Sequence, residues 1–126
     1  MSNQISKPIN KDAIENGEKS LPQEKLLAVI TNVFQALSDH TRVKIIYALV
    51  KQEFCVRDLA IVIGISESGI SHQLGFLREL QLVKTRREGN VIYYSIAYAH
   101  LTAMLKEAEY YADHIENHYP DHPYNK

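Results

Sequence analysis

The fold is decided by residues 55–96, which read CVRDLAIVIGISESGISHQLGFLRELQLVKTRREGNVIYYSI. Apolar residues at helical spacing predict one short helix that starts at residues 55–58 and ends before Gly64, and a second helix over about Glu67–Leu80. Gly64 suits the left-handed stop of the first helix, and Ser66 suits the N-cap of the second. Two short helices joined by a three- or four-residue turn predict a helix-turn-helix.

A basic β-hairpin is predicted directly after these helices. Residues 82–87 and 91–96 are β-prone, and Glu88-Gly89-Asn90 separates them as a turn. Three cations in residues 81–90 against one carboxylate give a net charge of +2, in the only positive cluster of the chain. A helix-turn-helix followed by a basic hairpin is a winged helix, whose second helix enters the major groove while the wing lies along the DNA backbone or in a minor groove.

The outward face of the second helix carries side chains that can bind DNA. Gln can read adenine, Arg can read guanine, and Ser can reach bases or phosphates. We expect the helix to supply sequence preference and the wing to supply affinity through phosphate contacts. The predicted DNA-binding residues are Ser66, Ser68, Ser71, His72, Gln73, Arg78, Lys84, Arg86, Arg87 and Asn90.

The rest of the chain is predicted to be helical between two polar ends. Residues 1–20 are predicted as a flexible N-terminal arm, residues 21–118 as the winged helix-turn-helix DNA-binding and dimerisation domain, and residues 119–126 as a C-terminal tail. Further helices are expected from Leu21-Pro22 to Leu37, over about Thr41–Val50 and over about Ala97–Asn117. The predicted fold class is mostly α with a small β-hairpin (α+β).

Both the first and the last of these helices carry apolar stripes, although residues 41–96 can already build a small core. Such spare faces are best buried between two chains, which predicts a homodimer. The residues expected at the interface, together with the first helix, are Leu101, Met104, Leu105, Ala108 and Ile115.

The composition is that of an ordinary globular domain. The 126 residues are 45% apolar and 23% charged, with no apolar run long enough for a membrane span, no secretory signal and one cysteine. These features predict a cytoplasmic protein without disulfides. Residues 64–68 resemble the start of a hydrolase nucleophile elbow but lack its last glycine, so we expect no enzymatic activity; a hydrolase or a structural adaptor is the competing class.

The C-terminal end combines carboxylates with imidazoles. Residues 91–126 hold two lysines against five acids, a net charge of −3, and four of the six histidines: His100, His114, His118 and His122. Such a mixture suits a divalent transition metal. The alternative is a solvated acidic end with no metal.

The sequence resembles the ArsR/SmtB family of metal-responsive winged-helix repressors. The matching stretches are residues 34–42 (FQALSDHTR), 53–60 (EFCVRDLA), 66–74 (SESGISHQL) and 89–94 (GNVIYY), together with the last helix from His100 to His114. The resemblance implies a homodimer that represses transcription and leaves its operator when an effector binds.

The resemblance implies two possible metal sites. One is a thiolate site, to which Cys55 and Asp58 correspond, although residues 1–39 offer no further Cys or His and Cys55 is better explained as a buried small apolar residue. The other lies on the last helix, where His100 and His114 match while Tyr98 and Tyr111 replace two usual ligands. Because a phenol is a weak zinc ligand at neutral pH, compensating ligands are expected nearby. The candidates are Asp113, Glu116, His118 and His122.

The spacing of His100 and His114 adds a geometric argument. Fourteen residues place them about 21 Å apart along one helix but only about 40° apart around its axis, so one ion cannot contact both in one chain. An antiparallel second chain would bring His100 of one protomer beside His114 of the other. The sequence thus predicts a Zn, Co or Ni site formed by His100, His114, Glu116 and His118, in a dimeric repressor that the metal releases from a palindromic operator. The alternative is the same regulator with a non-metal or lost effector response.

Overall fold

The computed structural model describes residues 6–118 of the chain. Its helices and strands follow one another in this order: α1 Lys11–Ser20, α2 Glu24–Ala36, α3 His40–Lys51, β1 Phe54–Cys55, α4 Val56–Ile63, α5 Glu67–Glu79, β2 Val83–Glu88, β3 Val91–Ile96 and α6 His100–Asn117. The fold class is therefore confirmed as mostly α with a small antiparallel sheet. Within residues 6–118, none of the helices combines the length and the apolar character that crossing a membrane requires.

The chain divides into two compact units, one that ends at Asn32 and one that starts at Val33. The first unit contains α1, a helix that the sequence analysis did not predict. Asn10 caps it by accepting a hydrogen bond from the Ala13 amide at 3.0 Å, and Asp12 and Lys19 complement the dipole at its two ends. No residue of α1 is buried, so polar caps rather than an apolar stripe define this helix. The flexibility of the N-terminal arm stays a prediction.

The core of the second unit forms where α3, α4, α5 and α6 meet the sheet. Ile70, Leu74 and Leu77 lie on one side of α5 at helical spacing, and all three are fully buried. The other buried side chains are Ala36, Ile45, Ile46, Leu49, Leu59, Ala60, Val83, Leu101 and Leu105. No polar or charged residue of the described part of the chain is buried.

The three strands are antiparallel and lie in the order β1-β3-β2. The register from Val83↔Ile96 to Glu88↔Val91 leaves Gly89 and Asn90 as a two-residue turn. Gly89 has a φ of 62°, which fits the first central position of a type II′ turn, where glycine is favoured. The predicted hairpin is thus confirmed. The third strand, β1, was not predicted, because a strand of two residues is too short to produce a recognisable pattern in the sequence.

The last helix turns one face inward and another outward. Leu101 and Leu105 are only 5% and 8% exposed within a single chain, so the prediction that they form a dimer interface was wrong. Their side chains pack into the chain's own core, because the loop after β3 lays the start of α6 over it. Met104, Ala108, Tyr111 and Ile115 are exposed, and their spacing of four, three and four residues puts them on one face. We name these four residues the α6 stripe.

Candidate nucleic-acid interface and metal centre

The start of α5 is fixed by the side chain of Ser66. Its Oγ accepts a hydrogen bond from the Gly69 amide at 3.0 Å and lies 3.2 Å from the Ser68 hydroxyl. A Cβ at Gly69 would lie 3.2 Å from that Oγ and 3.3 Å from Ile65 Cδ1, so glycine permits this tight cap. Gly64 has a φ of 85° and ends α4 in the left-handed conformation, as the sequence predicted. The end of α4 and the start of α5 are therefore both fixed by residues of the turn between them.

The end of α5 leads directly into the wing. Gln81 adopts the left-handed conformation with a φ of 64°, and the Leu82 amide donates to the Leu77 carbonyl at 2.9 Å. This is the closing bond of a Schellman-type helix end. It reverses the chain so that Val83 enters the core and β2 starts without a long loop. Only residues 80–82 therefore separate the end of α5 from the start of the wing.

Most of the polar side chains predicted to contact DNA from α5 are exposed. Ser68, Ser71, His72 and Arg78 all lie on or beside its outward face. Gly75 lies among them, and a Cβ added there would have no neighbouring atom within 4 Å. The fold itself therefore does not require a glycine at this position, although glycine weakens a helix by about 1 kcal/mol relative to alanine.

Gln73 is held by a side chain that lies far from it in the sequence. It is half-buried, and its Oε1 accepts a hydrogen bond from Arg42 Nη1 at 3.3 Å. The same guanidinium donates to the Ala36 carbonyl at 2.7 Å and to the Gln35 carbonyl at 3.2 Å, and it lies 4.6 Å from the ring centroid of Phe76. Arg42 is 31 residues from Gln73 in the chain, so no local pattern could reveal the pair.

The wing arginines lie in two different environments. Arg86 Nε donates to the two carboxylate oxygens of Glu53 at 2.8 and 3.0 Å, and its Nη2 bonds the same carboxylate. Its guanidinium also lies 3.7 Å from Glu88 and 4.5 Å from the ring centroid of Tyr93. These hydrogen bonds lower the pKa of the Glu53 carboxyl and raise the pKa of Arg86. The positive charge of Arg86 is therefore already balanced by the carboxylate of Glu53.

Lys84 and Arg87 are the wing cations that remain exposed. Alternation along β2 puts Lys84 on the face of Arg86 and puts Arg87 on the opposite face. Asn90 is exposed at the tip of the hairpin. No ion pair of Lys84 or Arg87 is found among residues 6–118. The side chains of Lys84 and Arg87 could therefore pair with phosphate groups of DNA.

The candidate thiolate site does not assemble in one chain. Cys55 is half-buried, occupies the N-cap position of α4 and pairs with Tyr93 across the sheet. Asp58 is exposed in the first turn of α4. No group of three or more His, Cys, Asp or Glu side chains able to hold a metal ion occurs in the described part of a single chain.

The histidines predicted to bind metal lie near the two ends of α6. His100 is the first residue of the helix and is exposed, while His114 is half-buried in its last turn. At 1.5 Å per residue the two are about 21 Å apart along the helix. Glu116 and His118 are exposed, and His118 ends the helix with a φ of 58°. The remaining candidate, His122, lies outside the described residues.

The Nδ1 contact of His114 is of a kind seen in metal-bound histidine, although its Nε2 has almost no solvent-accessible surface within one chain. Its Nδ1 lies 2.7 Å from the Tyr110 carbonyl oxygen. Because a carbonyl only accepts, Nδ1 must carry the hydrogen, and Nε2 then carries the lone pair. A backbone carbonyl that orients an imidazole through Nδ1 is a common outer partner of metal-bound histidine. Two imidazoles with a carboxylate or a third imidazole are a donor set that suits Zn, Co or Ni.

A helix-turn-helix with an exposed polar second helix, followed by a two-stranded wing, defines a winged-helix DNA-binding protein. Residues 39–85 match the profile of a family described as "Bacterial regulatory protein, arsR family". The chain belongs to the ArsR/SmtB family of winged-helix transcriptional repressors. It is a DNA-binding regulator and not an enzyme, as the sequence predicted, and its elbow-like residues 64–68 form the turn and cap of the helix-turn-helix.

Two relatives and one solved structure illustrate this membership. The chain is 43% identical over 97 residues to a transcriptional repressor SmtB homolog of Synechocystis sp., covering 77% of this chain and 69% of the relative. It is 39% identical over 101 residues to a cadmium resistance transcriptional regulatory protein CadC homolog of Staphylococcus aureus, covering 79% and 83%. The homodimeric winged helix-turn-helix domain Mb0332 of Mycobacterium bovis superposes with a TM-score of 0.70 at 28% identity, covering 82% and 98%.

Proposed function

We propose that two copies of this chain form a repressor that holds a palindromic operator and releases it when a transition-metal ion binds between the two α6 helices. The observation that carries this proposal is the placement of His100 and His114 at opposite ends of one side of α6, beside the exposed α6 stripe. The cadmium resistance named for the Staphylococcus aureus relative supports a metal as effector. As a regulator of bacterial DNA, the protein is expected to act in the cytoplasm.

The α6 stripe supplies the reason for two copies. Tyr111 is 72% exposed and Ile115 is 66% exposed, so a single chain leaves much apolar surface in water. Isologous packing of this stripe against itself, about a two-fold axis perpendicular to α6, places the two helices antiparallel. We also expect residues of α2, whose Leu26 and Val29 are exposed, to contribute to the interface.

Antiparallel packing completes the metal site twice. His100 of one protomer then lies beside His114 of the other at each end of the helix pair, with Glu116 or His118 as the further ligands. Tyr98 and Tyr111 stand where stronger ligands are usual in the family, and neither is needed in this arrangement. The donor set favours Zn, Co or Ni over Mg or Ca, which prefer oxygen ligands alone.

A second candidate function is the same repressor with a non-metal effector or none. The two exposed phenols, of Tyr98 and Tyr111, favour it, because a phenol is a poor ligand at neutral pH. Metal-driven release of DNA separates the two candidates directly.

For DNA, we propose that α5 lies in the major groove and that the wing follows the backbone. Ser68, Ser71, His72 and Arg78 are the exposed side chains that would face base edges and phosphates. Ser66 remains a predicted contact, although its Oγ already caps α5. Lys84 and Arg87 are assigned to phosphates, with Asn90 at the wing tip. Arg86 is assigned mainly to holding the wing, because Glu53 already binds its guanidinium.

The test starts with the metal-free protein and a randomised double-stranded DNA library, from which the bound sequences are selected. Release of the selected DNA by zinc, cobalt and nickel chloride is then followed by fluorescence anisotropy. His100→Ala and His114→Ala should each abolish release while leaving the affinity of the metal-free protein for DNA nearly unchanged. His40→Ala is the matched control, because His40 is an exposed histidine at the start of α3, and it should respond to metal normally.

Two results would contradict the proposal. If both histidine variants still release DNA with metal, the site lies elsewhere, and Cys55 with Asp58 becomes the next candidate. If the parent protein binds no transition metal tighter than about 10 μM, roughly −7 kcal/mol, the regulator with a non-metal effector is the better description. The cobalt-loaded protein gives an independent readout, because its visible spectrum should lack a strong sulfur-to-cobalt charge-transfer band.

A further inference from the structure

Arg42 connects the end of α2 with the middle of α5. Its Nε donates to the Ala36 carbonyl at 2.7 Å, and its Nη2 donates to the Gln35 carbonyl at 3.2 Å. The Nη1 of the same guanidinium donates to Gln73 Oε1 at 3.3 Å, and its central carbon lies 4.6 Å from the ring centroid of Phe76. One side chain of α3 therefore contacts two other helices.

The corner between α2 and α3 holds Arg42 in place. The Asp39 carboxylate accepts a hydrogen bond from the Arg42 amide at 3.0 Å and so caps α3. The Ser38 hydroxyl donates at 2.7 Å to the Gln35 carbonyl, the same oxygen that accepts from Arg42. Carbonyls in the last turn of a helix have no partner within that helix, and here the corner supplies partners for them. The guanidinium is thus anchored to backbone atoms of this corner.

Gln73 and Phe76 lie beside the exposed face of α5. They are three residues apart, which makes them neighbours on the helix surface, and both are half-buried. The buried apolar residues of α5 hold the helix on the core, but apolar packing is not directional. A hydrogen bond and a stacked guanidinium both depend on orientation. Arg42 therefore restrains the rotation of α5 about its own axis.

We propose that Arg42 is a positioning residue for DNA recognition: it sets the orientation in which α5 presents Ser71 and His72 to the base pairs, without contacting DNA itself. This inference rests on the proposed placement of α5 in the major groove. Ser71 and His72 are exposed directly before Gln73, so a rotation of α5 would displace both side chains from the base edges. No ion pair of Arg42 is found among residues 6–118, so the experiment must also exclude a direct contact between Arg42 and a phosphate.

The principal experiment compares Arg42→Met with the wild-type protein on two duplexes: the site that the wild type selects from randomised DNA, and a scrambled duplex of equal length. Methionine keeps an unbranched apolar side chain and removes the donors. The affinity for the selected site should fall on the order of tenfold, the typical effect of one mismatched base pair, while the affinity for the scrambled duplex should stay nearly unchanged. The slope of log affinity against log salt should not change, because no phosphate contact is lost.

Tyr47→Phe is the matched control. It also removes a hydrogen bond between α3 and another helix, in this case from Tyr47 to Glu109 of α6. Thermal unfolding measures the stability of both variants, and the affinities are compared at a temperature at which each protein is folded. Tyr47→Phe should leave the affinity for both duplexes unchanged. A merely structural role of Arg42 would lower stability but would not change the ratio of the two affinities in folded protein.

Two further variants test how Arg42 acts. Phe76→Leu removes the ring and leaves the hydrogen bonds of Arg42 in place, so it should cause part of the loss, and its combination with Arg42→Met should lose no more than Arg42→Met alone. Arg42→Lys keeps the charge without the planar fork and should not restore the affinity for the selected site. Phe76→Leu decides the question if Arg42→Met does not fold.

The outcomes separate this inference from the proposed function. An equal loss on both duplexes overturns the inference, and a salt slope reduced by about 1 per protomer would then assign Arg42 to a phosphate. An unchanged affinity of Arg42→Met for the selected site overturns it too. In both cases sequence-specific binding by α5 would stand. If the wild type selects no sequence at all, the proposed operator binding fails, and the inference fails with it.

Discussion

The proposed DNA-binding surface and the proposed effector surface of this protein are built in different ways. On the first, one chain supplies every restraint: Ser66 caps α5, Arg42 holds Gln73, and Glu53 holds Arg86. On the second, His100 and His114 lie near opposite ends of the 18-residue helix α6, and the exposed α6 stripe runs beside them along the helix. The comparison teaches that a single chain is prepared to bind DNA, whereas the proposed metal site needs a second copy of α6.

The largest expected effect comes from placing a charge on the α6 stripe. Ile115→Glu should give a folded monomer, because Ile115 is 66% exposed and outside the chain's own core. The affinity for a palindromic site should fall on the order of a hundredfold, since the two half-sites are no longer bound together. Sedimentation and DNA titration measure the two effects. Thr102→Glu adds the same charge at an exposed α6 position outside the stripe and should leave the dimer intact; a dimeric Ile115→Glu protein would refute the assignment of this stripe.

The two wing arginines should differ in how salt affects DNA binding. Arg87→Ala should reduce the slope of log affinity against log salt by about 1 per protomer, because one phosphate contact is lost. Arg86→Ala should leave this slope nearly unchanged and lower the melting temperature of the protein instead, because Glu53 loses its partner. Titrations at several salt concentrations give both slopes. Equal losses of slope in the two variants would mean that Arg86 leaves Glu53 when DNA binds.

The sequence predicted those features that neighbouring residues determine. The ends of α4 and α5 at Gly64 and Ser66 and the turn at Gly89 follow from backbone conformation and local hydrogen bonds, and the structure has them at those positions. Long-range partners were missed, because Arg42 and Gln73 are 31 residues apart and Glu53 and Arg86 are 33 apart. The apolar residues of α6 were predicted correctly as a stripe, but not which of them pack into the chain's own core. Periodicity identifies apolar positions on a helix and does not show whether the same chain or a second chain covers them.

Gly75 offers a way to separate folding from DNA binding within α5. Gly75→Ala should raise the free energy of unfolding by up to about 1 kcal/mol, because alanine favours the helix and its Cβ meets no atom within 4 Å. The affinity for DNA should nevertheless fall severalfold if the backbone of α5 approaches the groove at this point. Gly17→Ala in α1 is the matched control, since a Cβ there is equally uncrowded, and it should leave DNA binding unchanged. An unaltered affinity of Gly75→Ala would place the closest approach to DNA elsewhere on the helix.

The smallest expected effect concerns the bond that ties α6 to the DNA-binding part of the chain. The Tyr47 hydroxyl of α3 donates to Glu109 Oε2 of α6 at 2.7 Å, and this hydrogen bond raises the pKa of the Tyr47 phenol above its ordinary value. A raised pKa means that the bond stabilises the fold below the ordinary phenol pKa and that this stabilisation is lost as the pH rises through the raised pKa. Melting temperatures measured from neutral to strongly alkaline pH should therefore fall less steeply in Tyr47→Phe than in the wild type. Tyr98→Phe, which removes an exposed phenol, should follow the wild-type curve. Parallel curves for Tyr47→Phe and the wild type would mean that this hydrogen bond contributes nothing measurable to the stability of the fold.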